Sequence, residues 1–298
     1  MPLPPIDLAL ASRLERAEGA ANARFVEARA RASPGHAATW RDIDGTWAMF
    51  DGVGSPLTQT FGLGLDRDVT DETLAALERF YRDRGSPVDH EVSPLARGEP
   101  LARLAGRGYH PIELTDVLVR PLTAAAPTPV PSVDTDAMLP RSAAPDADAR
   151  VATALDVAVI GPSDGNVWAD AAADGWRDTP DVVPFVRALG AVYPVTRNAT
   201  CVAAVIDGTM VATGVLSLHD GVALLAGAST RPEWRRRGAQ TALLAARLRL
   251  ARSAGCDLAM ICARPGSDSH RNAERRGFSV AYTRIKWHRP AESRPGRP

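Results

Sequence analysis

Apolar residues recur at three- and four-residue steps along residues 7–32, and Ser33, Pro34 and Gly35 end the run. This spacing places the apolar side chains on one face of a helix, so the pattern predicts a long N-terminal helix. Leu74, Leu77 and Tyr81 indicate a second helix over 70–84. A short helix near 99–107 and four strands complete the predicted elements of this half. The strands are predicted at 46–50, 58–65, 88–92 and 112–120.

The second half of the chain has a pattern richer in strands. An Asp207-Gly208 pair separates two β-rich runs and supplies the positive φ angles of a tight type I′ turn. A helix is predicted from 239 to about 253, with Gly255 as its C-terminal stop. The other predicted elements here are a strand at 156–160, a helix at 163–176, and strands at 200–206, 210–218 and 222–230.

Two landmarks of the first half recur in the second at nearly equal offsets. A helix ends at Gly85 and again at Gly255, and a Gly-aromatic pair precedes a long strand at Gly108 and again at Gly277. The offsets favour a duplicated domain, and chance similarity of two short segments is the alternative. A stretch rich in Pro, Ala, Ser and Thr lies between the halves and predicts a linker. We therefore expect a domain over 1–121, a linker over 122–150 and a second domain over 151–298.

Composition and charge exclude several classes of protein. The 298 residues suit two domains, and the 35 basic and 35 acidic residues give zero formal net charge, which argues against a broad nucleic-acid face. No cationic start precedes an apolar run and no 18-residue apolar stretch exists, so we expect no secretory signal and no membrane partner. Cys201, Cys256 and Cys262 lack metal-ligand spacing, which predicts no metal site and a reduced, cytoplasmic protein.

The residues that indicate chemistry are concentrated at 224–250. A predicted strand leads into three consecutive arginines, then Gly238, and then a helix. Such a unit directs backbone N–H groups and the positive end of a helix dipole at one spot, where a phosphate binds well. Gly238 allows close approach of the backbone, and arginines add forked donors for phosphate oxygens. The alternative is a solvated arginine loop before a purely structural helix.

At these residues the chain resembles the GNAT superfamily of acetyltransferases, whose motif is Gln/Arg-x-x-Gly-x-Gly/Ala between a strand and a helix. Arg235 and Gly238 match its first two fixed positions, while Gln240 replaces the small third residue. Thr230-x-Pro232-Glu233 and the segment 272–278, which ends in Gly-Phe, also resemble family sequences. The resemblance implies an α/β (α+β) fold of two GNAT-like domains, each a mixed, mostly antiparallel sheet flanked by helices.

The resemblance also implies a cofactor and its contacts. Backbone amides of 236–240 would hold the pyrophosphate of acetyl-CoA, and Ser269 and Asn272 would contact the pantetheine arm. The main chain of Ser229 and Thr230 would pair with that arm. Ala228 or Ser229 would polarise the thioester carbonyl through an amide. The full implied cofactor-binding set is Ala228, Ser229, Thr230, Arg235, Arg236, Arg237, Gly238, Ala239, Gln240, Ser269 and Asn272.

Catalytic residues are not assigned by the motif. Where many family members have a tyrosine acid, this chain has Ala273, and no carboxylate lies within 224–230. The remaining candidates are Ser229 and His219, although His219 has the position of an ordinary turn residue. Proton transfer would then use water or a residue of the N-terminal domain. Glu233 is expected to order its loop, and Cys262 to be a packed thiol.

The corresponding loop of the first half, residues 66–72, has acids and no glycine. Acids in a first helical turn repel an anionic ligand, so we expect a degenerate GNAT-like copy and one CoA per chain. The predicted function is direct transfer of an acetyl group from acetyl-CoA to a primary amine. The acceptor could be a small molecule, a peptide N-terminus or a lysine. The alternatives are an acetyl-CoA sensor that performs no transfer and a structural scaffold, and the sequence leaves the oligomeric state open.

Overall fold

A computed structural model describes residues 3–122 and 155–291. The N-terminal half begins with a 25-residue helix that Asp7 caps through a hydrogen bond to the Leu10 amide. Its elements are α1 (Leu8–Ala32), β1 (Thr39–Ile43), β2 (Thr46–Phe50), β3 (Thr60–Phe61), α2 (Asp71–Arg82), β4 (Val88–Val92), α3 (Pro100–Gly106) and β5 (His110–Pro121). The predicted linker lies, from residue 123 onward, outside the described residues.

The C-terminal half contains six strands and four α-helices within residues 155–291. They are β6 (Asp156–Ile160), α4 (Gly165–Asp174), α5 (Val183–Gly190), β7 (Ala199–Ile206), β8 (Thr209–His219), β9 (Val222–Thr230), α6 (Ala239–Ser253), β10 (Leu258–Ala263), α7 (Asp268–Glu274) and β11 (Ser279–Arg289). Across both described ranges, no helix has the length and apolar character needed to span a bilayer.

All the described strands form one sheet, in the order β1-β2-β3-β4-β11-β5-β10-β9-β8-β7-β6. The pairs β3–β4 and β9–β10 are parallel, and the other neighbouring strands in the described residues are antiparallel. The last strand of each half is exchanged, because β11 pairs with β4 of the first half and β5 pairs with β10 of the second. The mixed, mostly antiparallel sheet flanked by helices confirms the predicted fold.

The two halves repeat one order of elements. The series β1, β2, β3, α2, β4, α3, β5 corresponds to β7, β8, β9, α6, β10, α7, β11. The four glycine landmarks occupy left-handed conformations at equivalent helix ends, with φ of 65° at Gly85, 78° at Gly255, 82° at Gly108 and 78° at Gly277. A glycine adopts this conformation without the steric cost of a Cβ, which explains why the sequence marks these helix ends.

Most of the predicted helices and strands are present within a few residues of their expected bounds, but the prediction of one strand is wrong. The run 58–65 forms strand only at Thr60–Phe61, because Gly62 and Gly64 adopt φ of 80° and 76° and turn the chain. Two elements were not predicted. β1 is polar and half-exposed, so it lacks the apolar pattern of a strand. α5 is only 8 residues long and contains Pro184 in its first turn, so it is too short to show a helical period.

Helices cover both faces of the central strands. On one face α6 packs Leu244 and Leu248 against residues of β5, β8, β9 and β10. On the other face α1 packs Leu10 and Leu14 against Leu224 and Met260 of β9 and β10. The first helix of the N-terminal half therefore covers strands of the C-terminal half.

Candidate functional site

Strands β9 and β10 separate part-way along their length. Their parallel pairing runs from Val222 with Leu258 to Leu224 with Met260, and no further pair between them occurs in the described residues. β9 nevertheless continues to Thr230 and β10 to Ala263. We call the gap between 225–230 and 261–263 the splay. Strand edges that do not pair with each other can hydrogen-bond an extended ligand between them.

A β-bulge lies on β9 within the splay. The pairing with β8 passes from Val215 opposite Ala226 to Thr213 opposite Ser229, so Gly227 and Ala228 together oppose one residue of β8. Gly227 has a φ of 61°, and both bulge residues are exposed. Bulges re-aim local backbone groups and are common beside active sites. Ala228, one of the predicted carbonyl-polarising residues, therefore lies at an irregular and accessible point of the strand.

The loop after β9 leads directly into α6. Arg236 and Gly238 have positive φ angles of 61° and 84°, and Gly238 is the N-cap of the helix. No side chain caps α6, and its first turn contains no acidic residue. The first-turn amides and the positive end of a 15-residue helix thus face the loop without a side-chain acceptor.

Two of the three consecutive arginines are available to a ligand. Arg236 and Arg237 are exposed, and within residues 3–122 and 155–291 neither forms an ion pair with a carboxylate. The Arg237 guanidinium lies 4.8 Å from the centroid of the Trp234 ring, which holds it beside the loop. These charges and the α6 amides together suit an anion such as a phosphate.

Arg235, in contrast, already has protein partners. Its guanidinium contacts Asp178 at 2.6 Å and donates to the carbonyl oxygen of Gly175 at 2.9 Å. In the same loop, Glu233 forms an ion pair with Arg177. The first arginine of the motif and Glu233 therefore fasten the loop to the segment after α4, and Glu233 has the ordering role expected for it.

The corresponding helix of the N-terminal half, α2, has its N-terminus occupied by its own side chains. The Thr70 hydroxyl accepts a hydrogen bond from the Thr73 amide at 3.1 Å. Asp71 and Glu72 lie in the first turn, and hydrogen bonds from the Glu72 amide and Thr70 lower the pKa of Glu72. Asp71 in turn pairs with Arg103 at 3.1 Å. An anionic ligand at this end of α2 would meet two carboxylates.

Ser229 and Gln240 make contacts within the protein. The Ser229 hydroxyl is buried and donates to the carbonyl oxygen of Ala172 at 2.7 Å. Gln240 Nε2 donates to the Ser229 carbonyl oxygen at 2.7 Å and to Thr230 Oγ1 at 3.0 Å. The side chain that departs from the family motif thus ties α6 back to the end of β9.

The remaining predicted residues lie in two places. His219 ends β8 opposite Val222, which is eight residues along β9 from Thr230, so His219 lies about 26 Å from the loop. Its Nδ1 lies 3.3 Å from Arg24 Nη2, and burial and then the Arg24 charge lower the pKa of His219. Ser269 and Asn272 are on α7, beyond the end of β10, exposed and half-buried respectively. His219 is therefore a turn residue remote from the splay.

The structure also brings an α1 carboxylate, Glu18, to the splay, which the sequence did not predict. Cys262, two residues beyond the last β9–β10 pair, donates a hydrogen bond from its sulfur to Glu18 Oε2 at 3.3 Å. Glu18 also pairs with Arg284 at 2.7 Å. The detectable signal was that Glu15 and Glu18 interrupt the apolar face of α1 between Leu14 and Ala21.

Glu15 is buried within the same group of charges. Tyr282 donates to it at 2.9 Å and Arg284 pairs with it at 3.1 Å. Burial, partly offset by Arg284, raises the pKa of Glu15 to about 7. Burial and the nearby Glu18 charge also raise the pKa of the Cys262 thiol, which favours the neutral, packed thiol expected there.

Comparison with known families identifies the second half. The sequence profile of the acetyltransferase (GNAT) family matches residues 170–278, which include the splay, the arginine loop and α6. Residues 170–278 belong to the acetyltransferase (GNAT) family. No curated protein matches the chain in sequence.

Solved structures extend the likeness to both halves. A GCN5-related N-acetyltransferase from Kribbella flavida superposes with a TM-score of 0.57 at 17% identity, covering 95% of this chain and 96% of its own. A tandem GNAT protein from the clavulanic acid biosynthesis pathway gives 0.52 at 15% identity, covering 92% and 96%. A protein of unknown function from Staphylococcus epidermidis gives 0.51 at 8% identity, covering 87% and 95%. At these identities the likeness is one of fold, and it is a tandem GNAT fold.

Proposed function

We propose that the GNAT domain binds acetyl-CoA at the N-terminus of α6 and transfers the acetyl group directly to a primary amine. The observation that carries this proposal is the contrast between the two equivalent helices. α6 begins with Gly238, no side-chain cap and no acid, whereas α2 begins with a capping Thr70 and two carboxylates. A helix start of the first kind suits a pyrophosphate and one of the second kind opposes it.

The same contrast supports a division of labour between the halves. We propose a degenerate GNAT-like domain over 1–121, a linker over 122–150 and a catalytic domain over 151–298, with one CoA per chain. Amides of 236–240 would hold the pyrophosphate with Arg236 and Arg237. Ser229 and Thr230 of β9, with Ser269 and Asn272 of α7, would flank the pantetheine arm.

The reaction needs a polarised thioester carbonyl and a proton acceptor for the amine. Bound acetyl-CoA supplies an activated acyl group; a C–N bond to the amine forms, the C–S bond breaks, and the nitrogen loses a proton while the thiolate gains one. The bulge amides at Gly227 and Ala228 are the donors proposed for the carbonyl oxygen. Glu18 is the proposed proton acceptor, since its carboxylate contacts Cys262 in the splay. Ala273 takes the place of the usual tyrosine acid, so water would supply the proton to the thiolate.

A second function, an acetyl-CoA sensor without turnover, is favoured by that Ala273 and by the lack of carboxylates in 224–230. The two functions differ in the release of free CoA thiol. An enzyme releases it faster when a suitable primary amine is added, whereas a sensor binds acetyl-CoA and releases none with any amine.

The test of the proposed site is calorimetric titration of acetyl-CoA. We expect one site per chain in the wild type and none in the double variant Arg237→Glu, Gly238→Asp. Arg67→Glu is the matched control, because Arg67 is exposed in the equivalent loop of the first half, and it should bind as the wild type does. Two sites, or loss of binding in the control, would show that the N-terminal half also holds the ligand. No binding in the wild type would refute the proposal.

A further inference from the structure

Two side chains of α6 donate hydrogen bonds to backbone carbonyls on either side of the β-bulge in the splay. Gln240 Nε2 donates to the carbonyl oxygens of Ser229 at 2.7 Å and Thr213 at 3.4 Å. Arg247 Nη1 donates to the carbonyl oxygens of Ala226 at 3.1 Å and Val215 at 3.2 Å. These four carbonyls belong to the two residue pairs that flank the bulge. A bulge disrupts the ladder, and the helix supplies the donors that these carbonyls need.

Gln240 and Arg247 are seven residues apart, which is two helical turns, so they lie on one face of α6. The same helix presents its N-terminus to the arginine loop. α6 therefore connects the proposed pyrophosphate site rigidly to the bulge. Gln240, the departure from the family motif, serves this connection, since its amide joins the helix to both β8 and β9.

Arg247 carries a buried charge without a counter-ion. Its side chain is buried, and in residues 3–122 and 155–291 no carboxylate pairs with it. Burial lowers the pKa of Arg247 to about 10, so it stays protonated at neutral pH. Gly214 leaves space for the Arg247 side chain, because a Cβ at position 214 would lie 2.9 Å from its guanidinium carbon. An apolar side chain would fill the same space without the cost of burying a charge.

We propose that Arg247 positions the bulge and polarises the acyl carbonyl. By holding the Val215 and Ala226 carbonyls it keeps Gly227 and Ala228 out of the ladder, with their amides free for a ligand. Its positive charge then stabilises the negative charge that develops on the carbonyl oxygen, an effect that is strong in a low-dielectric interior. This inference rests on the proposed function, because it requires a thioester bound in the splay.

The test uses acetyl-CoA labelled with ¹³C at the carbonyl and needs no acceptor. The carbonyl carbon resonance of the bound ligand is measured by NMR in the wild type, Arg247→Gln and Arg247→Lys. We expect a downfield shift from free acetyl-CoA in the wild type, most of it retained in Arg247→Lys and at least half of it lost in Arg247→Gln. The Kd for acetyl-CoA should change less than about 3-fold, since the α6 N-terminus is intact. Arg249→Gln, an exposed charge on the same helix, is the matched control.

A role in stability alone would alter unfolding without moving the bound carbonyl resonance. Arg247→Gln with the wild-type resonance would therefore overturn the inference and leave the proposed function standing. Failure of the wild type to bind acetyl-CoA would overturn both. Should Arg247→Gln not fold, Gly214→Ala decides the question, because it keeps the charge but displaces the guanidinium. A resonance that does not move in Gly214→Ala would likewise overturn the inference.

Discussion

Glu18 Oε2 on α1 accepts a hydrogen bond from Cys262 Sγ on β10 at 3.3 Å, although 244 residues separate the two in sequence. The contact joins the first helix of the N-terminal half to the open part of the C-terminal strands. The N-terminal half, whose own helix start is blocked by acids, thus places a carboxylate beside the proposed acyl site.

Replacing Glu18 by glutamine should slow acetyl transfer by about 100-fold, because loss of a general base has an effect of this order. The measured quantity is the rate of CoA thiol release with an accepted primary amine, and the Kd for acetyl-CoA should stay unchanged. Glu27→Gln is the control, since Glu27 is on the same helix but pairs with Arg197 and Trp40 instead. A wild-type rate in Glu18→Gln would exclude Glu18 as the proton acceptor.

Glu15 should make the protein less stable as the pH rises from about 4.5 to 7. Its pKa is raised from 4.5 to about 7 in the folded state, so over this interval the folded protein keeps a proton that the unfolded chain has lost. The free energy of unfolding therefore falls with pH in this window and changes no further above it. Between pH 5.5 and 8, Glu15 should account for about 2 kcal/mol of that fall.

Urea unfolding of the wild type and of Glu15→Gln at these two pH values measures the contribution of Glu15 to the free energy of unfolding. The variant should lack about 2 kcal/mol of the pH dependence, because the glutamine does not ionise. Glu27→Gln, a carboxyl outside the group around Arg284, should keep the wild-type dependence. Equal pH dependence in Glu15→Gln and the wild type would contradict the assignment.

Gly175 is the residue where α4 meets the end of β9, and an alanine there should be destabilising. A Cβ at this position would lie 2.0 Å from Ser229 Oγ and 2.9 Å from the Thr230 amide nitrogen. We expect a loss of about 1–3 kcal/mol in unfolding free energy from overpacking. Weaker binding of acetyl-CoA should follow, because Arg235 fastens the loop to the Gly175 carbonyl.

Gly161→Ala is the matched control for Gly175→Ala. Its φ of −82° suits any residue, and the nearest atom to an added Cβ there is 3.9 Å away. Both substitutions reduce the entropy of the unfolded chain similarly, so that effect cancels in the comparison. Equal stability of the two variants would show that the α4–β9 junction adjusts freely.

Local features of the fold could be predicted because they depend on a few neighbouring residues. The Asp207-Gly208 turn has the positive φ angles, 48° and 73°, that its sequence requires. The start of α6 at Gly238 and the four glycine helix ends follow from the same steric rule. The strand at 58–65 was predicted wrongly because its apolar run contains Gly62 and Gly64, whose left-handed conformations outweigh the apolar pattern.

The sequence by itself thus determined most of the helices and strands, the tandem repeat and the arginine loop before α6. Only the tertiary structure decided the exchange of β5 and β11, the position of α1 over the splay, and the contacts of Glu18, Gln240 and Arg247. Strand pairing and burial join residues far apart in the chain, and no local pattern records which distant carbonyl a buried arginine will meet. The physical reason is that backbone conformation is set by near neighbours, whereas a buried polar group is placed by whichever partner satisfies it in the packed interior.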